Sequence, residues 1–446
     1  LDFLGEHFVK INILPHDDNT NGWSAILPPR QATQALHGQH RADWLVIGAG
    51  YTGLAMARAL ARNRPNDSIV VLEAGTVGEN ASGRNSGFAI DVPHNIGSSL
   101  AEFTRAEQYR RLLGAGIASL EQTVREEGID CQWSRSGKYH CAVSARDAGS
   151  ILEHHAHELS ALGEPYELLD RDQLASRLGT RYFHQGIYTP GCVLLNPAAL
   201  VRGLADTLPA NVTLFERTPV TALSTGGGIV ASSAGGSVIA SKLMLATNAL
   251  APQFGAYRNR MFTAVSYGSL SAPLTAAQRK RIGNIGPWGV TPASAVTGAT
   301  MRYTADHRIL IRQHFGFAPG VAISRAGKDR ARALHRTVFD ARFPNLADVR
   351  LEHFWTGFLS ITRNGAPAWG RVAPNFYASA GCNGVGIVKQ TIAGDLLADY
   401  ACGVDNPLIG DMQGLGNPNF VPPRPLLDVG VHVHLARERW LGRREF

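Results

Sequence analysis

The four residues Trp44-Leu45-Val46-Ile47 form an unbroken apolar run of the length expected for a buried strand, and Gly48-Ala49-Gly50-Tyr51-Thr52-Gly53 follows at once. Residues 54–64 carry Ala and Leu at a spacing near 3.6, which predicts a helix broken by Pro65-Asn66-Asp67. Residues 68–72 then predict a second strand, ending at Glu73. Downstream, residues 101–125 and 145–163 read as helices, with a short strand over 137–143. Asn196-Pro197 opens a helix over 198–208, and strands are expected at 220–223, 228–232 and 242–246. Short strands alternate with one helix (328–343) between 256 and 350. Strands return at 350–358 and 375–379, before a loop at 381–386 and a helix to about 402. Residues 1–40, polar and rich in turn signals, read as an extended arm.

Nucleotide-fold patterns recur near residues 45, 245 and 380 with different material between them, which implies two domains threaded discontinuously through one α/β chain. Residues 1–95, 190–255 and 350–420 are assigned to a Rossmann-like dinucleotide domain. Residues 96–189 and 256–349 are assigned to an α+β substrate domain built on a mixed antiparallel sheet. Residues 421–446 form a basic tail. The 446-residue length suits two or three domains, and 44% hydrophobic against 18% charged residues excludes a disordered chain. The net charge of +7 is spread along the sequence without a basic stripe, so nucleic acid is not an expected partner. No apolar run is long enough to span a membrane, no secretory signal is visible, and five cysteines form no CxxC pair. A cytoplasmic protein with reduced thiols is therefore expected.

The three glycines of residues 48–53 fix a tight turn, admit a pyrophosphate to the backbone and allow close strand–helix packing. The diphosphate would sit at the helix N-terminus, where free N–H groups favour anions. Such spacing alone is weak; the strand before it and Glu73, 20 residues beyond Gly53 and placed for an adenosine ribose, make it specific. Neither a second GxGxxG nor a redox Cys pair occurs, which argues against a disulfide-reductase-like enzyme. Gly381-Cys382-Asn383-Gly384-Val385-Gly386 supplies a second glycine-lined approach ahead of a helix, suited to a flavin ring. A plain strand-to-helix turn would explain it too.

Together these segments resemble the FAD-dependent D-amino-acid-oxidase-like superfamily, and most nearly its γ-glutamylputrescine-oxidase-like branch. The matching stretches are residues 46–54, 71–74, 81–87, 245–249, 355–357, 370–375 and 381–386, in family order. The resemblance implies a Rossmann-like FAD-binding domain in which Gly48, Gly50, Tyr51, Thr52, Gly53, Glu73 and Ala74 hold the cofactor's adenosine and diphosphate. It places Ser82, Gly83, Arg84, Asn85, Ser86 and Gly87 along the pyrophosphate and flavin. Val220 falls at the adenine side, Thr247 at the second crossover, and Gly384, Val385, Gly386 and Lys389 beside the flavin. With no His near the first loop and only Cys382 near the second, the FAD is expected to be non-covalent.

The resemblance also implies oxidation of a C–N bond to an imine by hydride transfer to flavin N5, a reaction in which positioning supplies much of the effect. The small-molecule substrate would be an amine or amino acid: a secondary amino acid such as L-pipecolate, an N-methyl amino acid, or γ-glutamylputrescine. Oxygen or a membrane acceptor would take the electrons. Arg302, with Tyr303 beside it, is the candidate clamp for a substrate carboxylate. Lys389 is a candidate cation beside the flavin, although the family's lysine falls one residue earlier, where this chain has Val388. His94 is a candidate on the substrate face, and Tyr267 and Trp355 are candidate pocket walls. His154 and His157 have helical ligand spacing but sit among glutamates, and no metal is expected. In the tail, Leu427, Val431 and Leu435 recur at helical spacing among arginines, so it lies on an anionic membrane, at the inner face, or docks on the protein body. A flavin monooxygenase is the alternative enzyme; Ala393-Gly394-Asp395 only superficially resembles its Gly-Asp motif. A flavin-binding subunit with an occluded pocket is the non-enzymatic alternative.

Overall fold

A computed structural model describes residues 8–15, 18–92, 100–293 and 298–443. Its first layer is a nine-stranded sheet whose core is parallel: Phe376–Ala380, Gly236–Leu245, Gly38–Ile47, Ile69–Leu72 and Val212–Phe215. Ile69–Leu72 is an unbroken Ile, Val and Leu run, and Gly38–Ile47 and Gly236–Leu245 turn apolar and buried over their last residues, where both faces are covered. The register aligns Leu245 with Ile47 and Ile47 with Leu72, so the three chains leave the sheet side by side at Ala246, Gly48 and Glu73. Ligands bind at such carboxyl edges.

The helix Tyr51–Asn63 packs between this sheet and the helix Gly386–Cys402. Its Ala-rich faces permit a close crossing: a Cβ on Gly394 would stand 2.4 Å from Thr52 O. Helix Leu100–Glu126 lies across the same bundle, with Gly116 against Val388.

The second layer is an eight-stranded mixed sheet, including Lys138–Ala142, Gln185–Thr189, Phe262–Ser271, Trp288–Pro292, Thr300–Tyr303, Ile309–Phe317 and Leu351–Ile361. Helix Arg325–Arg342 packs on it through Val338 and Phe339. The strand Leu351–Ile361 corrects the boundary drawn at residue 350: it pairs along its length with Phe262–Ser271 and belongs to this sheet. Helix Leu100–Glu126, drawn with the substrate segments, packs instead on the nucleotide side, sharing a core with the glycine-loop helix. The arm expected over residues 1–40 is also partly built in. Phe8–Lys10 adds an edge strand, and Trp23 is fully buried, edge-on to Trp355. The tail forms the helix Leu426–Leu441.

Candidate active site

Two chambers meet between the sheets, sharing Ala81 and Phe358 as walls. The first is lined by Gly48, Gly50, Glu73, Ala74, Ser82, Val220 and Thr247, all expected cofactor residues, together with Ile11, Ile13 and Phe254. Gly48 holds φ +103°, and a Cβ there would come within 2.7 Å of Ala246 O. Gly53 takes a Cβ-free position against Gly48 O, which lets the helix seat on the strand. The Glu73 carboxylate accepts from Ala49 N–H (2.8 Å) and Gly75 N–H (3.1 Å), which fixes it at the chamber wall. Burial raises its pKa against those bonds.

FAD fits this wall on three observations. The Thr247 hydroxyl is buried at the wall with no partner, the helix N-cap Gly50 brings no side-chain cap, and only glycine fits at 48. Tyr51, Thr52 and Gly53 do not line the chamber. Tyr51 donates its hydroxyl to Pro197 O, Thr52 bonds Gln390, and both support the loop from behind. Ser82 Oγ accepts from Tyr51 N–H at 3.2 Å and lies over the helix N-terminus.

The second chamber is lined by Arg84, Asn85 and Ser86, by Gly384, Val385 and Gly386, and by Ser266, Tyr267, Thr291, Thr300, Arg312 and Phe315. The helix starting at Gly386 also lacks a side-chain cap, so its N–H groups and dipole favour negative charge here. Gly384 (φ +81°) and Asn383 (φ +50°) make the bend, and Asn383 Oδ1 accepts from Thr362 N–H at 2.8 Å. Arg84 and Asn85 brace the opposite wall: Arg84 donates to Glu79 O and Thr356 O and pairs with Asp18, and Asn85 Nδ2 donates to Ser82 O. Gly83 and Gly87 shape that turn without lining the chamber, Gly83 against Gly78 O and Gly87 (φ +74°) against Leu195 O.

Arg302 is not a substrate clamp. Its Nη1 donates to Ser86 O (3.0 Å), Gly87 O (3.0 Å) and Leu195 O (2.7 Å), and its guanidinium lies between Trp23 and Phe88. It is a buried strut that holds the flavin-side turn in place. Tyr303 is equally remote, its ring in the core of the second sheet and its hydroxyl bonded to His307. Trp355 is buried and no pocket wall: its Nε1 donates to Arg84 O at 2.9 Å. Lys389 turns away from the chamber to Tyr109, with Nζ 3.3 Å from the hydroxyl. Of the six expected catalytic residues, Tyr267 borders the chamber, but its ring packs on the other face of the strand against Ala331, where burial raises its hydroxyl pKa. His94 lies outside the described residues. Gly394-Asp395 sits inside a helix, with Asp395 bonded to Ser119, so it cannot serve as a flavin-facing motif. His154 pairs with Glu158.

Sequence reasoning passed over Arg312. It sits on the strand Ile309–Phe317, Nη2 donating to Thr300 Oγ1 at 2.8 Å and the guanidinium 4.7 Å over the Phe315 ring. Its Nη1 is buried without a partner, and burial lowers its pKa to about 10. Ser266 Oγ, across the sheet, is buried and unpaired as well. The cause of this clustering is a β-bulge: His314 (φ +68°) is the extra residue where Ser266 pairs with Phe315 and Tyr267 with Gln313. The bulge reverses the alternation, so Arg312 and Phe315, three apart, both reach the chamber. An arginine directly after the apolar run Ile309-Leu310-Ile311, still within the strand, was the available sequence signal.

A family model described as FAD dependent oxidoreductase matches residues 43–400. The chain is 26% identical over 413 residues to the probable oxidoreductase OrdL of Haemophilus influenzae, covering 90% of this chain and 92% of that one. It is 24% identical over 372 residues to the gamma-glutamylputrescine oxidoreductase of Escherichia coli, covering 81% and 84%. Its fold resembles glycine oxidase from Geobacillus kaustophilus (TM-score 0.68, 21% identity, 82% of this chain and 96% of that one). L-proline dehydrogenase from P. horikoshii is similar too (TM-score 0.66, 16% identity, 85% and 98%).

Proposed function

The chain belongs to the FAD-dependent oxidoreductase (DAO) family, an oxidoreductase with FAD as its cofactor, and on that premise we propose that it oxidises the C–N bond of an amino acid whose carboxylate is held by Arg312. The observation that carries this reading is a buried guanidinium lining the second chamber with one nitrogen unpartnered. A carboxylate is the group that satisfies a planar cation bidentately. FAD, when bound, supplies the two-electron oxidation of the amine to an imine. The chain's own residues orient: Arg312 fixes the carboxylate, the Ser266 hydroxyl offers a further hydrogen bond, and Phe315 closes the wall beside them. Among the described residues lining this chamber there is neither carboxylate nor histidine, so the substrate enters as the neutral amine, its proton left to solvent. Glycine-type, cyclic imino and N-alkyl amino acids all meet these requirements.

An anaerobic screen following loss of flavin absorbance near ~450 nm tests the reaction directly. Amino acids should bleach the flavin; bleaching only by amines lacking a carboxylate, such as putrescine itself, would refute the Arg312 assignment. The FAD is non-covalent in this reading, because Cys382 lines neither chamber and its Sγ is engaged with Ser360 O and the Asn248 amide. Acid precipitation should leave all the yellow colour in the supernatant. Five free thiols suit a reducing cytoplasm.

No helix among the described residues is long and apolar enough to cross a membrane. The helix Leu426–Leu441 nevertheless exposes Val429, Val433 and Trp440 beside Arg437 and Arg443, a face suited to an anionic lipid surface and a membrane electron acceptor. Co-sedimentation with phosphatidylglycerol vesicles, lost on Trp440→Glu, is the expected outcome.

A further inference from the structure

Beyond the second chamber the cleft continues. A groove of about 730 Å³ runs beneath the C-terminal helix and shares Phe315 and Gly384 with the chamber as walls. That volume lies inside the range of about 300–1,000 Å³ typical of small-molecule sites. Its lining is mainly apolar: Phe262, Ala264 and Ile361 from the second sheet, and Leu427, Val431 and Leu435 from the helix. These three helix residues are the apolar stripe read from the sequence. The helix is tied down at the shared wall, since Arg439 donates to Phe315 O at 2.9 Å and His432 meets the Phe317 ring edge-on.

One position in the helix is left empty. Gly430 lines the groove, and a Cβ built on it would find nothing within 4 Å. A glycine in a helix interior is less favourable than alanine by roughly 1 kcal/mol, and the missing side chain keeps the groove open at its middle turn.

We propose that this groove is a second compartment of the substrate site, holding the extended apolar substituent of an amino acid whose carboxylate rests on Arg312. The occupant is set by continuity: of the two spaces among the described residues that share walls with the chamber, the one across Ala81 and Phe358 is the FAD chamber, and a chain leaving past Phe315 enters this groove. The inference rests on the amino-acid reading of the chamber. It adds that the enzyme favours substrates with a long aliphatic or aromatic arm on nitrogen or on the side chain over glycine-sized ones.

Binding separates the two ideas. Straight-chain carboxylates from acetate to octanoate are titrated calorimetrically into the FAD-loaded protein, and N-methyl- to N-octylglycine are tested for anaerobic flavin bleaching. Each methylene that enters the groove tightens binding by up to about fourfold. Octanoate has about four more methylenes than butanoate, so it should bind roughly 30-fold tighter, under a ceiling of about 250-fold for complete burial of all four. Gly430→Leu, which fills the open turn, should cut that gap to a few-fold and leave butanoate unchanged, whereas Gly430→Ala should keep the full gap. A flat series in the wild type overturns the groove assignment, as does a slope that survives Gly430→Leu. If the carboxylate slope appears but no N-alkylglycine bleaches the flavin, the groove stands and the oxidation reading fails. Bleaching by N-methylglycine with a flat carboxylate series gives the reverse.

Discussion

Replacing Arg312 by Met tests the chamber in two opposite directions at once. The side chain keeps one internal bond, to Thr300, and stacks on Phe315; it has no carboxylate partner among the described residues, and Nη1 is buried unpaired. A hydrogen bond to a charged group contributes about 1.5–3 kcal/mol net, and a bidentate carboxylate pair sits at the upper part of that range. Loss of 2–3 kcal/mol weakens carboxylate binding by about 30- to 150-fold. The same substitution removes an uncompensated buried cation and replaces it with an apolar chain of similar length. The ligand-free protein should therefore be unchanged or more stable, by up to ~2 kcal/mol. The assay pairs titration of a short unreactive carboxylate, followed by the flavin spectrum, with thermal unfolding of the same samples. Arg312→Lys separates charge from shape: it should recover part of the affinity, because an ammonium cannot form the planar fork. An unchanged dissociation constant in Arg312→Met would refute the clamp. A large fall in melting temperature together with general loss of FAD would instead make Arg312 another structural strut.

Three further outcomes follow from particular contacts. Arg302→Met should destabilise the fold by roughly 3 kcal/mol and lower the FAD-to-protein ratio, since three backbone acceptors lose one charged donor; carboxylate affinity of the molecules still loaded should be unchanged. Glu73→Ala should raise the FAD dissociation constant by about 100-fold, measured by refilling the apoprotein, because the loop N–H groups of Ala49 and Gly75 lose their acceptor along with the ribose. Asp395, whose carboxyl is pushed up to about 7 mainly by burial, binds its proton more tightly in the fold than in the unfolded chain. The fold therefore loses stability as pH rises from about 4 to about 7 and changes little above. Full burial would make this about 4 kcal/mol, and partial exposure of the residue brings it to roughly 2. Asp395→Asn should raise the melting temperature at pH 8 and leave it nearly unchanged at pH 4.

What could be read from the sequence was local. The strand, glycine turn, helix and acid of residues 44–73 are adjacent in the chain, and each residue's reason for being there lies within 30 positions. The same holds for the bend at 381–386. Arg302 and Arg312 look alike at that range: both are arginines in β-branched or apolar surroundings. They differ in partners at residues 86, 87 and 195, which only the folded chain brings to Arg302. The strand Leu351–Ile361 was assigned to the wrong sheet for the same reason, because its partner lies some ninety residues earlier. Lys389 is decided by helix periodicity once one neighbour is placed. Ile387 lines the chamber, and two residues farther on is about 200° around a helix, which carries Lys389 to the opposite face.

On the proposed function, the two arginines hold cofactor and substrate to one scale. Thr300 and Arg302 are two apart on one strand and share its face, and Thr300 pairs with Arg312 on the next. Both cations therefore project from the same side of a rigid hydrogen-bonded pair. Arg302 fixes the Ser86-Gly87 turn, and Arg312, diagonally across on the neighbouring strand, is left to hold the carboxylate of the proposed substrate. The distance between turn and carboxylate is set by the sheet rather than by either loop. Elements of regular structure hold reacting groups more tightly than loops do. In a reaction that relies on orientation rather than on an acid or base, a displacement of even 1 Å is costly. The bulge at His314 is then the device that makes the arrangement compatible with the strand, because without the extra residue Phe315 would face away from the chamber that Arg312 enters.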